Sequence, residues 1–120
     1  MSRDDGFDIA DVDTGLFDDP KVRRLWRTVG DPVAMSGCIA LYMATLLASW
    51  RHGERLAVSE AVPVWMRVAP EHVAALRHAG LLDRRDKLPA RSWEGWYGPA
   101  YARREARREA GRMGGRASGV

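Results

Sequence analysis

A single cysteine, Cys38, is all the thiol chemistry this 120-residue chain has. An internal disulfide is excluded, a metal site would have at most one sulfur ligand, and the usage fits a reducing compartment such as the cytoplasm. Histidine is nearly as scarce. His52, His72 and His78 show no ligand spacing with Cys38 or with one another, so no zinc signature is present and neither a metal nor a cofactor is expected. No serine sits in a nucleophile elbow, and the glycine-containing GRMGGRASG lacks the lysine and the strand–helix frame of a phosphate loop. These absences point away from catalysis. The opening MSRDDGFDIADVDTG is acidic and has no apolar core of the kind that secretion signals carry.

One long uncharged run does exist. Residues 32–50, PVAMSGCIALYMATLLASW, approach the length of a bilayer span. Ser36, Gly37, Cys38, Tyr42, Thr45 and Ser49 dilute it, and no second segment resembles it. It is read as the buried core helix of a cytoplasmic protein without a membrane contact.

What the chain has in quantity is positive charge, unevenly spread. Residues 1–19 hold seven aspartates and one arginine, net −6, residues 20–100 carry +5, and residues 101–120 add +4. An acidic leader, a basic body and a basic tail create an asymmetric field suited to a polyanion. The leader is also complementary to the tail, and could fold back on it.

Local signals divide the body into helices. Asp19 followed by Pro20, and Asp31 followed by Pro32, each combine a cap with a residue preorganised for the first helical position. Gly30, Gly53 and Gly80 mark helix ends. Arg55–Val58 alternates and reads as a brief strand. Ser59 caps a short helix to about Met66, and Pro70 opens PEHVAALRHAG. The segment Leu81–Pro89 has apolar ends and a charged tip, as a hairpin does. Trp93 and Trp96 sit at helical spacing, and Pro99 can restart a last helix. That helix runs into RREARREA, where Glu105–Arg108 and Glu109–Arg112 are possible i,i+3 pairs. From Gly111 onward the composition is that of a flexible arm.

The order predicts a mostly α fold, a winged helix-turn-helix with a short β-wing and a basic C-terminal helix or arm. Residues 1–14 form a flexible leader, 15–100 the domain and 101–120 the basic extension. Arg84, Arg85 and Lys87 on the wing, with Arg103, Arg104, Arg107, Arg108, Arg112 and Arg116 in the tail, are the candidate phosphate contacts. On the recognition helix Glu71, His72, Arg77 and His78 are polar, and His72, Arg77 and His78 are the candidate base or groove contacts. Double-stranded DNA is the expected partner. A dimerising protein-interaction module and a transcriptional regulator are the alternatives on the same scaffold.

GLFDDPKVRRLW, the long helix after DPVAM, the AGLL and LP residues flanking the wing, and the tail RREAGRMGGRASG together resemble the N-terminal domains of phage and prophage replication proteins. These are the replisome-organiser and DnaD-like primosome families, and the resemblance spans roughly residues 14–119. It implies a winged helix that binds DNA near an origin and recruits helicase-loading proteins, with Pro70–Gly80 as recognition helix and Asp83–Lys87 as wing. Such proteins commonly continue into a second, partner-binding region. A chain ending at Val120 is therefore a short form or an excerpt, and a short form would keep DNA binding or homodimerisation alone.

Overall fold

The computed structural model describes residues 15–118, and the side chains of all of these except Trp96 and residues 114–118. A single 3₁₀ turn, Leu16–Asp18, leads into α1 (Pro20–Val29), α2 (Pro32–His52), the one-turn α3 (Val58–Ala61) and α4 (Pro70–Ala79). Three residues of α5 (Ala90–Ser92), a π-helical turn (Trp93–Tyr97) and α6 (Gly98–Ser118) then follow without a break.

Both aspartate–proline starts form as the sequence dictates. The Asp19 carboxylate accepts from the Lys21 amide at 2.8 Å, and that of Asp31 from the Ala34 amide at 2.8 Å. Each satisfies an amide that the first turn leaves without a partner. Helices α1, α2 and α4 all end on a left-handed glycine, Gly30, Gly53 and Gly80.

Helix α2 is the spine. Cys38, Leu41, Tyr42, Thr45, Leu46, Ser49 and Trp50 are buried along it, and α1, α3 and α4 pack around that surface. It is also long and apolar enough, by length and composition alone, to cross a membrane. Its buried hydroxyls have uses inside the fold. Thr45 Oγ1 donates to the Leu41 carbonyl at 2.8 Å, and Ser49 Oγ accepts from the Leu56 amide at 3.0 Å, which ties down the chain just after the helix. At Gly37 the helix is thin enough for α4 to come close: a Cβ there would lie 2.6 Å from His72 Cε1.

Four expectations are corrected. Among the described residues there is no β-strand, so the fold is mostly α and the β-wing is absent. Arg55–Val58 is not a strand either, Val58 instead opening a helical turn, and the helix expected to run from Ser59 to Met66 is that single turn, Val58–Ala61. Pro63 limits it, because the residue before a proline is pushed out of helical geometry, and Val62 is extended at ψ 145°. Finally, the helix persists through Gly111 to Ser118 instead of becoming a flexible arm. Each glycine there costs about 1 kcal/mol against alanine, but the arginines, alanines and Met113 are good helix formers. The acidic leader, residues 1–14, lies outside the described residues.

Pro99 sits inside this final helix, where it would normally clash. The π turn just before it provides room. The Gly98 amide donates to the Trp93 carbonyl, a bond spanning five residues, so the helix is already widened when Pro99 enters.

Candidate nucleic-acid interface

The segment expected to be a wing is a side-chain-built turn. Leu81, Leu82 and Leu88 are buried and clamp both ends. One backbone bond, from the Asp83 amide to the Lys87 carbonyl at 2.8 Å, closes the loop, and the Asp86 amide donates to the Asp83 carbonyl at 3.1 Å. Where a hairpin would continue with a ladder, the Asp83 carboxylate takes over. Its Oδ1 accepts from the amides of Arg85 at 2.8 Å and Lys87 at 3.1 Å. Its Oδ2 faces Arg55 Nη1 at 3.0 Å, which also donates to the Leu88 carbonyl at 3.0 Å. Pro89, having no N–H, cannot extend a pairing. Burial works to raise the Asp83 pKa, but the Lys87 and Arg85 amides and the Arg55 guanidinium outweigh it, and the carboxyl is held below its ordinary value.

Asp86 supports the turn from the other side. It adopts the left-handed conformation at φ 61°, one that aspartate tolerates better than most residues. Its carbonyl accepts from the Val58 amide at 2.9 Å, and its carboxylate holds Arg77 Nε at 2.7 Å. The two aspartates that thin the positive charge of the loop are thus what shapes it.

This changes the standing of several expected contacts. Arg77 is committed to Asp86. His72 is half-buried, its ring close to the Gly37 backbone. His78 is exposed in the last turn of α4. Arg84 and Arg85 are exposed, Lys87 is half-buried, and the two arginines line an open depression of about 560 Å³ with Arg55, Asp83 and Ala90. Arg55 was not anticipated as part of this surface. The nearby basic–acidic alternation was a visible signal, but the distance from Arg55 to Asp83 along the chain hid the pairing.

The tail arginines divide into three groups. Arg104 belongs to the root of α6. Its guanidinium lies 5.7 Å from the Trp50 ring centre and 5.5 Å from that of Tyr101, and these two rings meet edge-on at 5.9 Å. With its side chain only 17% exposed, Arg104 anchors the helix to α2 and is poorly placed for a ligand. Arg108 and Arg112 form the anticipated pairs, with Glu105 at 3.5 Å and Glu109 at 2.6 Å. Arg103 and Arg107 are exposed, one turn apart, and have no carboxylate within 4.0 Å among the described residues. The Arg116 side chain lies outside those described.

The described residues contain no group of three His, Cys, Asp or Glu able to hold a metal ion. Cys38 is buried, and burial raises its pKa, the opposite of what an activated thiol needs. Burial likewise pushes up Tyr42, beside Tyr97. The concavity between Leu16, Tyr42, Leu81 and Tyr97 measures about 230 Å³. That is below the roughly 300–1,000 Å³ of an ordinary small-molecule pocket. No protein-family model, curated protein or solved structure matches the chain.

Proposed function

We propose that the chain is a non-catalytic nucleic-acid-binding domain whose first partner is duplex DNA, held mainly through phosphate. The observation that carries this reading is the pair Arg103 and Arg107. Two exposed guanidinium groups on one face of a helix repel each other, and no carboxylate among the described residues relieves them. A phosphate backbone supplies the missing charge, and arginine forks match its oxygens. Arg84 and Arg85, on the lip of the depression, add a second pair of the same kind. The resemblance to phage and prophage replication proteins supplies a setting, replication initiation, with helicase-loading proteins as further partners.

The test is fluorescence anisotropy of a labelled duplex across a salt series, comparing wild type with Arg103→Gln/Arg107→Gln. Each phosphate contact contributes about 0.9 to the slope of log affinity against log salt, so the double variant should lose about 1.8. Absence of binding by wild type at low salt would overturn the reading.

One observation favours self-association instead. In the turn after α3, the Met66 amide donates to the Pro63 carbonyl at 3.0 Å, and the tip presents Val64 fully exposed and Trp65 78% exposed. Trp65→Ser should convert a sedimenting dimer to monomer if this turn is a contact between copies, with little dependence on salt.

A further inference from the structure

The surface of α1 carries a second basic site, and its composition differs from that of α6. Residues 20–30 contain Lys21, Arg23, Arg24 and Arg27 and no acidic residue. Arg23 and Arg27 are exposed and, among the described residues, have no carboxylate within 4.0 Å. Between them in sequence lies Trp26, 45% exposed, on a helix whose inward residues Val22 and Leu25 are 5% and 0% exposed. At about 100° per residue, Arg23, Trp26 and Arg27 fall within an arc of about 100°, with Trp26 at the edge nearer the buried stripe and the two arginines farther out. Arg24 Nη1 donates to the Ala79 carbonyl at 3.3 Å, so the end of α4 fixes the orientation of this face.

We infer that the Arg23–Trp26–Arg27 face of α1 binds single-stranded nucleic acid, the two arginines taking phosphates and the Trp26 indole stacking on an unpaired base. The inference rests on the nucleic-acid reading above and adds a substrate class to it. Arginine beside an open aromatic ring is the combination that single-strand binders use, phosphate contact together with a flat platform. A base offers its face to an indole when it is free of its neighbours, which a continuous duplex does not allow. The membrane surface is a poor fit, because the apolar side of α1 is already buried against α4 and α2.

The experiment titrates the full chain with labelled oligothymidylate and, separately, with a duplex of equal length. Wild type, Trp26→Ala, Trp26→Phe, Arg23→Gln/Arg27→Gln and Arg103→Gln/Arg107→Gln are compared. Trp26→Ala should weaken single-strand binding roughly tenfold and Trp26→Phe less, with duplex affinity little changed. Arg23→Gln/Arg27→Gln should reduce the single-strand salt slope by about 1.4, at about 0.7 per phosphate. Should Trp26→Ala misfold, Trp26→Phe and the arginine pair still decide the matter. Unchanged oligothymidylate affinity in the α1 variants overturns the inference, while the duplex titration of Arg103→Gln/Arg107→Gln judges the α6 reading separately. Wild type that binds duplex but not oligothymidylate also overturns it. Competition by polyglutamate as effective as by oligonucleotide overturns it in favour of an acidic protein partner.

Discussion

Helices α1 and α6 are both rich in arginine, yet they handle their charge in opposite ways. Along α1 the packing is continuous: Val22 and Leu25 are buried, and the helix lies against α4 and α2. Residues 20–30, which hold its four cations, contain no acidic residue. Helix α6 is gripped at its root by Trp50, Tyr101 and Arg104, and from Arg107 through Met113 every residue is exposed. There the arginines alternate with Glu105 and Glu109, which pair with Arg108 and Arg112. The difference is physical. A helix without tertiary packing is marginal in water and needs help from its own side chains. A docked helix takes its stability from burial, and can leave its outward charges uncompensated for a partner.

The sharpest way to break this contrast is to attack each support separately. Leu25→Ala removes a fully buried side chain from the interface that holds α1. Urea denaturation should show a loss of about 3 kcal/mol, the middle of the range for such cavities. Gly53→Ala strikes the root of α6. Gly53 has φ 76°, and a Cβ there would sit 2.7 Å from the Tyr101 ring, so alanine meets both backbone strain and a clash. A cost of about 2 kcal/mol is expected. Tyr101 should be displaced from Trp50, visible as a change in near-ultraviolet circular dichroism.

What could be read in advance follows the range of the interactions. The starts of α1 and α2 and the three glycine ends depend on contacts within a few residues, and the sequence shows them directly. The Glu105–Arg108 and Glu109–Arg112 pairs are equally local. The loop at 83–87 misleads because its apolar ends and polar tip are common to a β-hairpin and to a turn built by an aspartate side chain. Arg55 and Arg77, which help to decide between them, lie 28 and 9 residues away from Asp83 and Asp86. His72 was read as a groove contact because it is one of the few polar side chains on α4. Its burial is set by Gly37 on another helix, a contact that no spacing rule reveals. Arg104 is similar: it looks like the other tail arginines until Trp50 is placed beneath it.

Asp83 links the two halves of the molecule, since its turn connects α4 to the helix that ends in α6. Asp83→Asn keeps the shape but loses the charge that Arg55 and two amides stabilise, and should cost about 1.5 kcal/mol near neutral pH. Because the folded pKa is depressed, the stabilisation is fully present above the ordinary carboxylate value of about 3.9. It is lost as pH falls through the lower folded value. The stability gap between wild type and variant, followed by urea titration from pH 6 to pH 2.5, should therefore close at the acidic end.

The smallest structural effect tests the contrast most directly. Glu105→Gln/Glu109→Gln removes the two glutamates of α6 and brings its charge pattern closer to that of α1. Each lost i,i+3 pair costs about 0.2–0.5 kcal/mol of helix stability, so circular dichroism should show a slight loss of helix at most. Binding should change far more. Arg112, released from Glu109, becomes available to phosphate, and the duplex salt slope should rise by up to about 0.9. An unchanged slope would mean that Arg112 faces away from the nucleic acid. Among the arginines whose side chains are described, Arg103 and Arg107 would then carry the contact on that helix, and the glutamate pairs would serve only to keep it helical.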